Sequence, residues 1–383
     1  MAEAITFEFP MTPLRNSIYI LTIIGVFYAC GSPDHSDAPT MHDALFQPPE
    51  IRSVMADVAG YQFKFPSKHK SVGRDFPMGW VPASFYTGVM AAYHATGDEI
   101  YLNAAIEWSE DNDWQPGPRP RHADDHAAGQ TYLDIYAINS EPRMIEPIKA
   151  TFDSLIAHPV VGREDWSWCD ALFMAPPTLA RLGAATGDKQ YFDFLHDMYW
   201  DTADYLFDRQ AGLWFRDQSY FYQRTTNDKQ VYWSRGNGWV MAGIARLLPF
   251  LPEKDKKRDW YVQLLKTMAT SIAPLQGDDG LWRSSLLDAD EYPAPETSGS
   301  GFICFALMWG INNGYLDFET YLPIVAKAWI GLNGAIHDNG MIGWVQPIGE
   351  GPEKVTYDDT QAYGAGAFLL AGSELLIHAE RLK

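Results

Sequence analysis

The stretch Ala-Thr-Gly-Asp-x-x-Tyr occurs twice, at 95–101 and 185–191, and it commits the chain to paired helices. Each copy ends a helix rich in small residues and opens an amphipathic one. Glycine, lacking a Cβ, ends a helix in the left-handed conformation. The aspartate after it accepts from the free N–H groups of the next helix. Extending the alternation gives six stretches rich in Gly, Ala and aromatics: Gly79–Thr96, Asp124–Ser140, Trp168–Thr186, Ser234–Leu251, Thr297–Leu316 and Thr360–Leu376. Amphipathic stretches separate them, at Glu99–Asn112, Glu141–His158, Lys189–Asp208, Lys254–Ala273 and Phe318–Asn333, with residues 41–60 as the sixth. Small residues suit a crowded inner ring; amphipathic helices suit an outer ring with one solvated stripe. Six of each, connected alternately, predict an all-α fold, an (α/α)6 barrel. An open α-solenoid is the alternative. Spacing of about 45 residues early and over about 60 later argues against it, and for one face elaborated by long loops. Strand signals are sparse: Gly212–Arg216, Gly280–Ser284 and Gly340–Gln346 are expected as short hairpins at the barrel rim.

The N-terminal residues read as targeting. Ile18–Tyr28 is apolar, too short to span a membrane, and leads into Ala29-Cys30-Gly31-Ser32. This pattern is similar to a bacterial lipoprotein signal, with a lipid on Cys30; an ordinary cleaved signal peptide is the alternative. Arg15 is the only basic residue before the run, and a start at Met11 gives a cleaner signal. The expected organisation is a signal over residues 1–30, a flexible tether over 31–40 and one catalytic domain over 41–383. The expected location is the bacterial periplasm or outer membrane.

With 383 residues and 46% hydrophobic content, the chain buries a large core. A net charge of −20 argues against nucleic acid and against anionic membrane surfaces as partners. It leaves room for an anionic small ligand, which needs only local cations. Apart from Cys30, the cysteines are Cys169 and Cys304, both in apolar stretches and expected as buried free thiols, with a disulfide between them as the alternative in an oxidising compartment. There is no CxxC and no Cys/His cluster, so neither metal nor cofactor is expected.

Polar groups gather where the inner helices begin: Asp124, Asp125 and His126; Trp168 and Asp170; Arg235 and Asn237; Thr297, Ser298 and Ser300; Asp358 and Asp359. In a closed ring these ends converge on one mouth. Two carboxyls facing a sugar suit acid/base glycoside chemistry. Asp170 sits among apolar residues, where desolvation raises a carboxyl pKa and keeps a proton for donation. Helix capping competes as its role, and as that of Asp124 and Asp125. In Tyr232–Gly243, Trp233 and Trp239 flank Arg235. Tryptophan faces suit sugar rings and a guanidinium suits a carboxylate; the competing reading is a helix start packed by aromatics.

Three motifs carry a resemblance: Ala123-Asp124-Asp125-His126-Ala127-Ala128-Gly129-Gln130, Trp168-Cys169-Asp170-Ala171-Leu172-Phe173-Met174 and Trp233-Ser234-Arg235-Gly236-Asn237-Gly238-Trp239. Thr297–Phe302 and Trp309–Gly314 add to it. Over most of Pro77–Leu376 the chain resembles family 105 glycoside hydrolases, the unsaturated rhamnogalacturonyl hydrolases, and more distantly family 88 unsaturated glucuronyl hydrolases. The resemblance implies a barrel of the six-hairpin glycosidase type and an unusual reaction. The substrate is an oligosaccharide made by a polysaccharide lyase, ending in a 4,5-unsaturated uronic acid. Protonation at C4 of that enol ether leaves an oxocarbenium ion at C5; water adds there, and the hemiketal opens and expels the remaining sugar. The resemblance assigns proton donor and water base to Asp170 and a supporting role to Asp124 or Asp125. It assigns the substrate pocket to Met174, Trp233, Arg235 and Trp239, with Trp168 beside Asp170.

One departure stands out. Where well-known members carry a histidine after a Gly-Leu-aromatic turn, Gly212-Leu213-Trp214-Phe215 leads here to Arg216. The extra cation bears on which uronide is bound. Pectin-derived rhamnogalacturonan is the first expectation, and glucuronyl-rhamnose from ulvan or another lyase product the alternative. Two further readings are a non-catalytic carbohydrate-binding lipoprotein and an inverting glycosidase of another (α/α)6 family. Neither removes the ultraviolet absorbance of an unsaturated uronide.

Overall fold

A computed structural model describes residues 44–66, 77–160, 163 and 165–382. The expected signal, the tether and Cys30 lie outside the described residues. Residues 40–383 form one compact unit.

The inner helices are α2 (Trp80–Thr96), α4 (Ala128–Asn139), α6 (Ala171–Met174) continued by α7 (Pro176–Thr186), α9 (Ser234–Leu247), α11 (Thr297–Asn312) and α13 (Ala362–Arg381). The outer helices are α1 (Pro48–Lys64), α3 (Glu99–Asp111), α5 (Glu146–Ala157), α8 (Lys189–Leu206), α10 (Arg258–Ile272) and α12 (Phe318–Gly334). Packing runs α2–α4–α7–α9–α11–α13 and returns to α2, so the inner ring closes. The fold is an (α/α)6 barrel, not an open solenoid. Both repeated motifs behave as read. Gly97 and Gly187 end α2 and α7 with φ of 70° and 71°, and Asp98 and Asp188 accept from Ile100 N and Gln190 N.

Small residues let the inner helices touch at their backbones. A Cβ on Gly88 would lie 2.4 Å from Gly366 O, and one on Gly366 would lie 2.4 Å from Ser84 O. No real Cβ fits there, so α2 and α13 owe their close approach to these two glycines. The third inner helix is broken. Pro176 and Pro177 lack amide donors and start α7 afresh, leaving α6 as a single turn that holds Asp170 at the ring's mouth.

The rim has less strand than expected. Phe207–Asp208 (β1) pairs antiparallel with Leu213–Trp214 (β2) around Gly212, and the other two expected hairpins shrink to single bridges, Arg283 with Pro295 and Ile336 with Ile342. Cys169 and Cys304 are buried free thiols.

Candidate active site

Trp80 and Val81 of α2, Asp124 ahead of α4, Asp170 and Met174 about α6, Trp233 just before α9 and Arg235 within it, and Ala362 of α13 line one cleft of about 1720 Å³. Five inner helices thus point their N-terminal ends at it. Their free N–H groups favour a negative ligand there in an otherwise acidic protein.

A 3₁₀ turn, Ala123–His126, separates the two neighbouring aspartates. Asp125 turns inward, fully buried, and is held by the Arg119 amide at 2.6 Å and its guanidinium at 2.5 Å. Asp124 turns to the cleft, with 18% of its side chain exposed and His122 Nδ1 at 3.6 Å. Burial, and then the charge of Asp170, push Asp124 up to about 7.

Asp170 occupies the cap position of α6, but its side chain makes no capping hydrogen bond. The competing reading as a cap therefore fails. Its Oδ2 accepts from the Cys169 thiol at 3.5 Å and lies 3.7 Å from Arg216 Nε. Burial raises its pKa, while Arg216 and then Arg235 pull it back.

Arg216 follows β2. Its Nη1 donates to Asp217 at 2.6 Å, Glu350 stands 3.9 Å away, and its Nε makes no hydrogen bond. Burial pushes Asp217 up, but bonds from Ser219 and Arg216 outweigh it, so Asp217 stays charged and anchors the arginine. Asn237 explains why α9 is coupled to this strand: its amide accepts from Trp214 N and donates to Trp214 O.

The structure corrects the expectation for Trp239 and gives Arg235 backbone partners that the sequence did not show. Arg235 is 1% exposed and its fork is already engaged, Nη1 on Gln346 O at 2.7 Å and Nη2 on Pro347 O at 2.9 Å. It lies over the rings of Trp233 and Tyr363 at 4.4 and 4.8 Å. Arg235 thus braces Gln346 and Pro347 while it lines the cleft, its Nε without a hydrogen bond. Trp239 is buried against Phe302 and Phe173, with ring centroids 4.1 and 4.6 Å away, and does not line the cleft. It offers no face to a sugar. Trp233 borders the cleft only partly, being 2% exposed with Nε1 bound to Gln346. Trp168 and Met174 do line the cleft.

Other polar starts serve the fold. Glu296 is fully buried and caps α11 through Ser298 N and Gly299 N, which accounts for Ser298. Thr297 binds Gly343 O and Ser300 binds Glu296 O. His126 is buried and contacts Pro120 O. The histidine at the cleft is His122, whose ring lies 4.7 Å from that of Trp168. Sequence reading missed it, together with Asp217 and Glu350. Proximity to Asp124 and Arg216 was the available signal for His122 and Asp217; Glu350 carried none.

The chain matches Glycosyl Hydrolase Family 88 over residues 54–378. It belongs to that family. This enzyme is accordingly a glycoside hydrolase. It is 41% identical over 319 residues to the unsaturated 3S-rhamnoglycuronyl hydrolase of Formosa agariphila, covering 78% of this chain and 85% of that one. A glycosyl hydrolase family 88 structure from Bacteroides vulgatus superposes with a TM-score of 0.79 at 32% identity, covering 86% of this chain and 99% of that one. A structure named as a polysaccharide lyase gives 0.81 at 34% identity, covering 88% and 99%. That name differs in reaction class; the family match, which spans most of the chain, decides for the hydrolase.

Proposed function

We propose that this family 88 hydrolase removes a 4,5-unsaturated uronic acid from the non-reducing end of oligosaccharides produced by polysaccharide lyases, by hydrating the enol ether. The observation that carries the reading is the pairing of two carboxyls, Asp124 and Asp170, with Arg216 in one cleft. Burial raises both above the usual carboxylate range, and the charge of Asp170 helps to push Asp124 up to about 7. Asp170 delivers a proton to C4, and its carboxylate then takes one from the water adding at C5. Asp124 supports this as the neighbouring acid. Arg216, which lines the cleft beside Asp170, receives the substrate carboxylate. Trp168 and Met174 wall the sugar.

The name of the Formosa relative favours a glucuronyl-rhamnose product over the rhamnogalacturonan suggested first. A panel of lyase-digested polysaccharides, followed by loss of ultraviolet absorbance, tests both points. Loss on the digest of a glucuronyl-rhamnose polymer supports the reading. Loss only on pectic digests restores rhamnogalacturonan, and no loss on any digest overturns the reaction.

The proposal extends to location. Export through the signal at 1–30, with a lipid on Cys30, places the enzyme in the periplasm or outer membrane. No helix of the described residues is long and apolar enough to cross a membrane. Detergent phase partitioning of the full chain against Cys30→Ser tests it: equal partitioning overturns the anchor.

A further inference from the structure

Asp170 has two carboxyl oxygens, and its surroundings treat them differently. Oδ2 accepts from the thiol of Cys169 at 3.5 Å and faces Arg216 Nε at 3.7 Å. Cys169 is fully buried, and its own amide donates to Arg216 O at 2.8 Å. Trp168 bridges to Asp217 beside that bond. The thiol is therefore held by the same backbone ladder that sets Arg216, and both reach the same oxygen. Sγ also packs on the start of α9, where a Cβ on Gly236 would lie 3.0 Å from it. Cys169 thus touches the three segments that meet at the carboxyl.

We propose that Cys169 is a positioning residue for the hydration reaction, its thiol donating to Oδ2 of Asp170 so that Oδ1 is the oxygen that exchanges the proton with substrate and water. The inference rests on Asp170 being the proton-transferring group. Burial and the neighbouring carboxylate hold the thiol's pKa well above its usual value, so it remains S–H and keeps its role as donor throughout the working pH range. An S–H···O bond is weak, but the thiol that donates it is fully buried. It orients the acid through a side chain that never meets the sugar.

The charged and titratable groups facing Asp170 come from every neighbouring element. They are Arg216 beyond β2, Arg235 on α9, Asp124 on the 3₁₀ turn, and Cys169 itself. Losing the thiol removes a donor that favours the carboxylate form. Asp170 would then keep its proton to higher pH, and the alkaline limb of the pH–rate profile would move up.

Cys169→Ala and Cys169→Ser leave nearly the same space, but only serine retains a donor. The test measures kcat, KM, the pH–rate profile and Tm for both, beside Asp170→Asn. The expected result is a kcat lowered about three- to tenfold in Cys169→Ala, the scale of one net hydrogen bond. KM should hold, the alkaline limb should move up, and Cys169→Ser should lie between Ala and wild type. A structural role alone would lower Tm equally in both variants and leave their limbs where the wild type has its own; that result overturns the proposal. So does a Cys169→Ala variant with wild-type kcat and limb. Near-normal turnover by Asp170→Asn would overturn the parent reading as well. An inactive Asp170→Asn beside an unaltered Cys169→Ala would overturn this inference alone.

Discussion

The inner ring contains two clusters of arginine and aspartate that look alike on paper and differ in purpose. Deep between α4, α7 and α9, Asp134 is gripped by Arg181 at 2.6 Å and faced by Arg246 at 3.6 Å. Arg181 also donates to Pro177 O and Arg246 O, and Arg246 to Gln130. Their side chains are only 6–8% exposed. At the cleft, Asp124, Asp170 and Arg216 keep 13–18% exposure. There the closest contact between Arg216 and Asp170 is 3.7 Å, and Nε lacks a hydrogen bond. The first cluster is sealed in the core, bound by short contacts that leave Arg246 Nη2 without a hydrogen bond, and joins helices. The second opens to the cleft, with carboxyls whose pKa burial raises. Access to the cleft, not residue type, separates a site from a strut.

Asp170→Asn breaks the comparison most sharply. The amide cannot exchange the proton, so kcat should fall by at least about 10²–10⁴-fold, while Tm stays near wild type because Asp170 caps nothing. Turnover within tenfold of wild type would remove Asp170 from the mechanism. Asp134→Ala should do the reverse. It leaves two buried guanidiniums without their carboxylate, a loss of about 3–5 kcal/mol in urea unfolding. The variant that remains folded should turn over normally. If Asp134→Ala instead loses activity without losing stability, the two clusters are not distinct in the way described.

The same contrast separates two arginines within the cleft. Arg216→Ala should weaken binding by about 1.5–3 kcal/mol, the range for a charge-assisted bond, and should erase the penalty for esterifying the substrate carboxylate. Arg235→Ala should keep that ester penalty and lower stability instead, because Pro347 O loses its donor and Gln346 O keeps only the Tyr363 hydroxyl. Kinetics on acid and methyl ester, with Tm for each variant, check both. An ester penalty that survives in Arg216→Ala and vanishes in Arg235→Ala would return the carboxylate to Arg235.

These arginines show what the sequence could and could not convey. Helix order, the Gly-Asp joints and the inner–outer alternation were legible because they depend on local chemistry and periodicity. The burial of Asp170 was legible because its apolar neighbours in the chain are buried with it. The bracing role of Arg235 was not legible because its partners, Gln346 and Pro347, lie more than 110 residues away. Trp239 misled because a helix start lines the cleft only with its first turn, and position 239 already faces Phe302 in the core. Of the adjacent aspartates, only the pitch of the 3₁₀ turn decides that Asp125 meets Arg119 while Asp124 meets the cleft.

The smallest expected effect, and the one that most directly probes the coupling, is in the pH–rate profile. Asp170 in its charged form raises Asp124, and a charged Asp124 must reciprocally disfavour the charge of Asp170. Asp124→Asn removes that like charge. Asp170 then gives up its proton at lower pH, so the alkaline limb of kcat/KM should move to lower pH. Arg216→Ala removes the opposite charge, which pulls Asp170 down; there the limb should move to higher pH. Opposite shifts from two neighbours of one carboxyl are hard to obtain from general damage to the site. The profiles should be taken at low and at high salt. Because these groups are largely buried, the shifts should persist where surface effects are screened. Shifts of the same sign in both variants, or none in Asp124→Asn, would mean that the two carboxyls titrate independently and that the proton held to about pH 7 on Asp124 takes no part in the reaction.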